Sequence, residues 1–104
     1  MVVALAACRS STASGTVDDG EETFRNICAK CHGPAGTGGL PLTPGGPAPR
    51  NFTDDTWQST ITDAQIEQTI RDGKVPMPSF KTLLTPAQIH AVAGKIRHFR
   101  KGPP

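Results

Sequence analysis

The side chains best suited to chemistry in this 104-residue chain are Cys28, Cys31 and His32, which form the pattern C-x-x-C-H. Two cysteines three positions apart lie on one face of a helix. Their thiols can then bond to the two vinyl groups of a single porphyrin, while the adjacent imidazole ligates the iron from the same side. The spacing therefore predicts covalent attachment of one c-type haem.

The same residue types also occur in zinc sites and in thiol redox sites. A structural zinc site needs four ligands, usually with a second closely spaced pair. The remaining cysteine is Cys8, and the other histidines, His90 and His98, are eight positions apart. A thioredoxin-like site would lie in a βαβ pattern, and the sequence has no alternating or apolar strand run. Haem attachment is therefore favoured over both, and His90 and His98 are predicted to be solvated surface residues.

A sixth iron ligand is predicted in residues 74–80. This segment contains Met77, the only methionine besides Met1. The flanking Pro76 and Pro78 fix φ and remove two N–H donors, which predicts an extended segment outside any helix. A thioether is a soft ligand that suits haem iron. The alternative role of Met77 is to fill a gap in the hydrophobic core.

Together, C-x-x-C-H at residues 28–32 and the Met-Pro segment at Met77 resemble the single-haem class I cytochromes c, roughly over residues 17–101. The resemblance implies an all-α protein with the small cytochrome c fold, in which three to five helices wrap around one covalently bound haem c. It implies one-electron transfer as the function, with His32 and Met77 as the axial ligands.

The resemblance also implies roles for residues between the haem motif and the methionine. The family uses a proline carbonyl to accept the Nδ1–H of the proximal histidine, which orients the ring and raises its basicity. Pro49 is our candidate because residues 49–52 resemble the family's Pro-Asn-Leu, and Pro44 is the alternative. Arg50 and Trp57 are candidate donors to the haem propionates. Their alternative roles are a solvated arginine and a core tryptophan.

The first helix is predicted from about Val17 to Cys31, because acidic residues crowd its first turns. Gly20, Phe24 and Cys28 recur at every fourth position and share one face. The resemblance places Gly20 and Phe24 where the first helix crosses the last. Residues 33–53 are rich in glycine and proline without periodicity, and we interpret them as a long loop that wraps a flat cofactor.

Two capping boxes predict two further helices, at residues 62–65 and 85–88. The first of these helices should end before Gly73, and the second has Pro86 at its first position. An apolar stripe at helical spacing predicts the buried face of the last helix: Ile89, Val92, Ala93, Ile96 and Phe99.

The composition limits the class of protein. Only 36% of the residues are hydrophobic, so a large apolar cofactor would add to the core. A net charge of +2 is too small to indicate binding to nucleic acid. No run of 18 or more apolar residues occurs, so no segment is predicted to span a bilayer.

Residues 1–8 are apolar and end in Leu-Ala-Ala-Cys, which resembles the lipobox of bacterial lipoproteins. The segment is short for a signal peptide and lacks a basic n-region, so we interpret it as a truncated signal with Cys8 as the acylated residue. The alternative is a free cysteine in a leader. Residues 9–16 are small and polar and predict a flexible tether with a reach of roughly 16 Å. Residues 17–104 form the cytochrome c domain, which we expect on the extracytoplasmic, periplasmic side of a bacterial membrane, held by a lipid anchor.

These features predict an electron carrier and not an enzyme. With His32 and Met77 on the iron there is no open position for a small-molecule substrate, and no acid, base or nucleophile set lies near the motif. One alternative is a haem enzyme or gas sensor in which Met77 dissociates. Another is a haem subunit that docks on a larger respiratory complex.

Charge placement predicts a docking surface. No acidic residue follows Asp72, and Lys74 and Lys81 flank the Met77 segment. The resemblance implies that partners approach the haem edge beside this segment. We therefore expect a basic rim that docks an acidic patch on a redox protein. Further positive charges follow on the last helix: Lys95, Arg97, Arg100 and Lys101.

Overall fold

The computed structural model describes residues 17–39, 41 and 43–102, so the predicted segments 1–8 and 9–16, with Cys8, lie outside the described residues. Within them the chain is all-α, as predicted, and its one β-type pairing joins Lys74 to Met77. In the part of the chain that the structure describes, no helix is long and apolar enough to cross a bilayer. In chain order the helices are α1 (α-helical Val17–Thr23, π-helical Phe24–Cys28 and α-helical Ala29–His32), α2 (Asp55–Thr60), α3 (Asp63–Asp72) and α4 (Pro86–Arg97).

Helices α1 and α4 cross at Gly20, which is buried against the backbone of Ala91. A β-carbon at Gly20 would lie 2.6 Å from the carbonyl carbon of Ala91 and closer still to its oxygen. One turn further along α1, Phe24 is only 1% exposed. The predicted crossing of the first and last helices, with close approach at Gly20, is therefore confirmed.

The sequence does not predict the π-helical segment of α1. At its end the backbone N–H of Ala29 donates to the carbonyl of Phe24, five residues back. Such a turn holds one more residue than an α-helical turn and changes the direction of the side chains that follow. The segment ends at Cys28, so it helps to set where the last turn of α1 carries its thiols. The helix itself ends at His32, one residue later than predicted.

Both predicted capping boxes are present. At the start of α3, Thr62 Oγ1 accepts from the Gln65 N–H at 3.1 Å, and the Gln65 side-chain oxygen accepts from the Thr62 N–H at 2.9 Å. Thr85 and Gln88 make the same pair of bonds at the start of α4. Helix α3 ends at Asp72, and the next residue, Gly73, has a φ of 82°, which is readily adopted only by glycine.

Helix α4 is shorter than predicted, because it ends at Arg97 and Phe99 lies beyond it. Phe99 nevertheless packs against the core, with its ring centroid 5.1 Å from that of Phe24 and 6.1 Å from that of Phe52. The other members of the predicted stripe are buried in α4: Ile89, Val92, Ala93 and Ile96.

Helix α2 was not predicted from the sequence, although a signal for it exists. Asp54 caps its N-terminus, since one carboxylate oxygen accepts from the Thr56 N–H at 3.0 Å and the Trp57 N–H at 3.3 Å. An aspartate directly before a helix commonly has this role. The helix is only six residues long and buries a polar residue, Gln58, so it has no apolar periodicity that would predict it.

The loop of residues 33–53 is not helical where the structure describes it, in agreement with the prediction. Its contribution to the core is Phe52, which is 5% exposed and whose backbone N–H donates to the Gly36 carbonyl at 2.7 Å. Phe52 joins a buried cluster drawn from α1, α3, the Leu84 turn and α4. Beside this cluster the loop and the helices enclose the cavity described next.

Candidate functional site

A cavity of about 510 Å³ lies among α1, the 47–52 segment, α3, α4 and the 74–80 segment. This volume lies within the range of roughly 300–1,000 Å³ that is usual for ligand and cofactor sites. Most of its lining side chains are apolar. The predicted site residues that share it are Cys28, Cys31, His32, Pro49, Arg50, Trp57 and Met77.

The imidazole of His32 is held by two contacts. Its Nδ1 lies 3.1 Å from the backbone carbonyl oxygen of Arg50, and its ring stacks on that of Phe52 with centroids 4.4 Å apart and planes at 19°. Burial lowers the pKa of His32, and the hydrogen bond to the Arg50 carbonyl opposes this only in part. A neutral imidazole that donates from Nδ1 keeps the Nε2 lone pair free for a metal.

The prediction that the Pro49 carbonyl supports His32 is wrong, and so is the Pro44 alternative, since the carbonyl in contact is that of Arg50. Residues 47–51 are non-helical, and successive carbonyls of an extended chain point to opposite sides. The Pro49 carbonyl oxygen faces Gly38 instead, where a β-carbon would lie 2.7 Å from it. The neighbouring carbonyl is therefore left facing the imidazole.

Cys28 and Cys31 are both free thiols, half-buried at the cavity. Burial raises the pKa of the Cys28 thiol to about 11, and the nearby Cys31 adds to the effect by its charge. Cys28 is therefore protonated near neutral pH. Two reduced thiols on the last turns of one helix, beside a neutral imidazole, are a donor set suited to thioether bonds and an iron ligand.

Met77 lies in the same cavity but on a different kind of element. We call Lys74–Phe80 the methionine loop. The expected extended segment is instead a tight turn, because two backbone bonds of 3.0 and 2.8 Å join Lys74 and Met77. The exit of the loop is tied to α3 by Ser79 Oγ, which donates to the Arg71 carbonyl at 2.6 Å. The two prolines indicated an extended segment, but the backbone hydrogen bonds between Lys74 and Met77 close it into a turn.

Arg50 and Trp57 also line the cavity, and the Arg50 guanidinium carbon lies 5.6 Å from the centre of the Trp57 ring. Two groups able to donate hydrogen bonds thus lie together at the edge of a largely apolar space. Both are candidates for contacting the acidic groups of a cofactor.

Two positive charges of α4 are paired within the protein, in contrast to the exposed Lys74 and Lys81. Lys95 pairs with Glu21 at 2.9 Å and keeps only 16% of its side chain exposed, and this contact lowers the pKa of Glu21. Arg97 Nε donates to Asp63 at 2.7 Å. His90 and His98 are exposed, as predicted, and His90 lies 2.8 Å from Glu67.

Comparison with known families decides what kind of site this is. Residues 15–94 match the profile of the family described as "Cytochrome C oxidase, cbb3-type, subunit III". The chain is also 30% identical to cytochrome c6 of Euglena viridis over 84 residues. The aligned region covers 81% of this chain and 93% of the relative. The chain belongs to the cytochrome c family.

Solved structures agree with this assignment. The KustC0563 c-type cytochrome superposes on this cytochrome c with a TM-score of 0.67 at 33% identity, covering 80% of this chain and 99% of the other. A mutant form of Kustc0563 gives a TM-score of 0.66 at 33% identity over 79% and 99% of the two chains. This protein is a single-haem class I c-type cytochrome with covalently bound haem c, and it acts in haem-based electron transfer. The predicted family, fold class and cofactor are confirmed.

The residues that line the cavity fit a covalently bound haem c. It contains two free thiols, a neutral imidazole, a thioether and mostly apolar walls, with an arginine and a tryptophan at hand for the propionates. Sequence reasoning missed Phe52 and Gln58. The aromatic residue at position 52 was visible as part of the Pro49–Phe52 match, whereas no local signal identified Gln58.

Proposed function

We propose that this cytochrome c is a one-electron carrier whose haem is bonded to Cys28 and Cys31 and ligated by His32 and Met77. The observation that carries the proposal is that one cavity brings these four side chains together from two distant parts of the chain. Bound haem supplies one-electron exchange at its iron. With both axial positions filled by side chains, the protein acts as a carrier and not as an enzyme.

The residues around the proposed haem have separate roles. The Arg50 carbonyl orients His32 and makes it a stronger donor, because it accepts the Nδ1–H. Met77 raises the potential relative to ligation by two histidines. Arg50 and Trp57 donate to the propionates, a role supported by their shared place in the cavity lining.

Met77 ligation is tested by Met77→Ala in the holoprotein. The ferric protein should lose its far-red sulfur-to-iron band, the potential should fall, and the ferrous protein should bind carbon monoxide. Leu83→Ala is the matched control, since Leu83 is 64% exposed and is not among the residues that line the cavity. An unchanged spectrum in Met77→Ala would show that another residue is the ligand. Carbon monoxide binding by the wild type would instead favour the gas-sensor alternative.

Covalent attachment is tested by extraction with acid and acetone, which removes haem held by iron ligands alone. Haem should stay with the denatured chain. Cys28→Ser and Cys31→Ser should each sharply lower the yield of holoprotein, because each removes one thioether. Free haem in the solvent would contradict attachment at these two thiols.

We also propose that partners dock at a basic rim formed by Lys74 and Lys81. Both lysines are exposed, and Lys74 borders the cavity. Lys95 and Arg97 do not belong to this rim, because their charges are used within the protein. The partner is a redox protein with an acidic patch.

The basic rim is tested by measuring the second-order rate of electron exchange with an acidic partner at increasing ionic strength. The rate should fall as salt screens the encounter. Lys74→Glu should reduce the rate at low salt. Arg25→Glu, which reverses an equal charge at an exposed position of α1, should not reduce it. A rate that is flat with salt would refute the rim.

We further propose an extracytoplasmic location with a lipid anchor at Cys8. The support is the Leu-Ala-Ala-Cys sequence and the small polar tether that follows it. Expressed behind a complete bacterial signal sequence, the protein should sediment with membranes, and Cys8→Ser should release it. Mass spectrometry that shows an unmodified Cys8 in the native protein would end this proposal.

A second candidate function is a haem subunit docked on a larger respiratory complex. The description of the matching family profile, which names a subunit of cytochrome c oxidase, favours it. Purification under mild conditions distinguishes the two. A fixed partner in constant proportion supports the subunit, and a monomer that exchanges electrons with several acceptors supports the free carrier.

A further inference from the structure

We propose that Gln58, held by Arg97, is a positioning residue for the iron ligand His32. Gln58 is the one buried polar side chain among residues 20–39, 41 and 43–102, with 3% exposure. It contacts neither His32 nor the two cysteines by a hydrogen bond. It acts through the segment of residues 50–52, which touches His32 twice.

The amide of Gln58 is fully used. Its Nε2 donates to the carbonyl oxygens of Phe52 at 2.8 Å and Ile96 at 2.9 Å. Its oxygen accepts from an amino group of Arg97 at 2.9 Å. Because a guanidinium can only donate, the amide oxygen must face Arg97, and both N–H groups must face the two carbonyls.

Arg97 is itself fixed from several sides. The same amino nitrogen also donates to the Gln58 backbone carbonyl at 2.7 Å, and the other donates to the Ile61 carbonyl at 2.7 Å. Nε donates to Asp63 at 2.7 Å. The arginine therefore joins α4 to the end of α2 and the start of α3, and it leaves Gln58 a single orientation.

That orientation determines where Phe52 lies. Gln58 holds the Phe52 carbonyl, Gly36 accepts from the Phe52 N–H, and the ring of Phe52 stacks on the imidazole of His32. Two residues earlier, the Arg50 carbonyl faces His32 Nδ1. The angle at which the imidazole would meet a bound iron is thus set by a segment that Gln58 fixes from α2.

The experiment is proton NMR of the ferric holoprotein, whose haem-methyl resonances report the orientation of the axial imidazole plane. Gln58→Leu should change the spread and order of the four methyl resonances and shift the reduction potential. Arg97→Gln, which leaves the Gln58 amide free to turn, should change them in the same sense by a smaller amount. Gln68→Leu, the same substitution at an exposed site on α3, should leave the pattern unchanged.

The inference rests on His32 ligation, and the wild-type spectrum separates the two failures. Absence of hyperfine-shifted imidazole resonances in the wild type would overturn the ligand assignment. Their presence, together with unaltered methyl resonances in haem-loaded Gln58→Leu or Arg97→Gln, would overturn the positioning role. If Gln58→Leu does not load haem, Arg97→Gln alone decides by the same criterion.

Discussion

The two regions that offer iron ligands are held in place by different means. The histidine wall, Cys28–His32 with residues 50–52, is fixed by the buried amide of Gln58 and by ring stacking inside the core. The methionine loop is fixed by backbone bonds across its own turn, by the Phe80 N–H, which donates to the Ile70 carbonyl, and by the exposed hydroxyl of Ser79. Segments with few buried contacts open at lower free energy than the core. The methionine loop, which carries the proposed ligand Met77, should therefore open first, while the histidine wall stays closed until the domain unfolds.

The largest expected effect comes from the histidine wall. Gln58→Leu leaves the Phe52 carbonyl and one guanidinium N–H of Arg97 without a partner, each costing roughly 1–3 kcal/mol. The Ile96 carbonyl still accepts from the Phe99 N–H. We expect the free energy of unfolding in urea to fall by about 3 kcal/mol. Gln68→Leu, on the exposed face of α3, should change it by about 0.5 kcal/mol or less. Equal losses in both variants would mean that the buried amide has no special part in stability.

The crossing of α1 and α4 provides the next effect. Gly20→Ala places a methyl group against the Ala91 carbonyl, so α1 must move away from α4 and carry the histidine wall with it. Overpacking of this kind should lower the free energy of unfolding by about 2 kcal/mol. Gly94→Ala is the matched control, because its β-carbon meets no atom within 4 Å and alanine favours a helix. A melting temperature equal to that of Gly94→Ala would contradict the close approach.

A smaller and local effect is expected in the methionine loop. Ser79→Ala removes one exposed hydrogen bond to the Arg71 carbonyl, worth about 1 kcal/mol. If Met77 ligates the iron as proposed, carbon monoxide competes with it, and binding of carbon monoxide to the ferrous protein should tighten roughly fivefold. Urea unfolding should change little. Thr82→Ala removes a nearby exposed hydroxyl as a control, and a similar gain there would show that the Ser79 bond is not what holds the loop.

What could be predicted from the sequence was local. The capping boxes lie within four consecutive residues each, and the haem motif within five. The carbonyl that contacts His32 was predicted to be that of Pro49 but is that of the next residue, Arg50. A sequence does not reveal to which side each carbonyl of a loop points. The methionine loop was predicted to be extended, because the prolines signal φ angles but not the backbone pairing between Lys74 and Met77.

The missed features depend on distant pairs. Arg97 and Gln58 are 39 positions apart, and neither residue type by itself indicates a buried hydrogen bond. Lys95 and Arg97 were counted among the surface charges for the same reason, since their partners Glu21 and Asp63 lie far away in the chain. Only the fold brings these groups together.

The contact of Gly20 with Ala91 also has a kinetic consequence. It joins positions 71 apart (91 minus 20), and every residue that lines the haem cavity except Val92 and Ile96 lies inside the loop that it closes. Closing a loop of that length costs about 4 kcal/mol in chain entropy before any contact repays it. Long-range closure of this kind slows folding. The contact between α1 and α4 has to repay this entropy, and contacts of shorter range made inside the loop lower the cost of closing it.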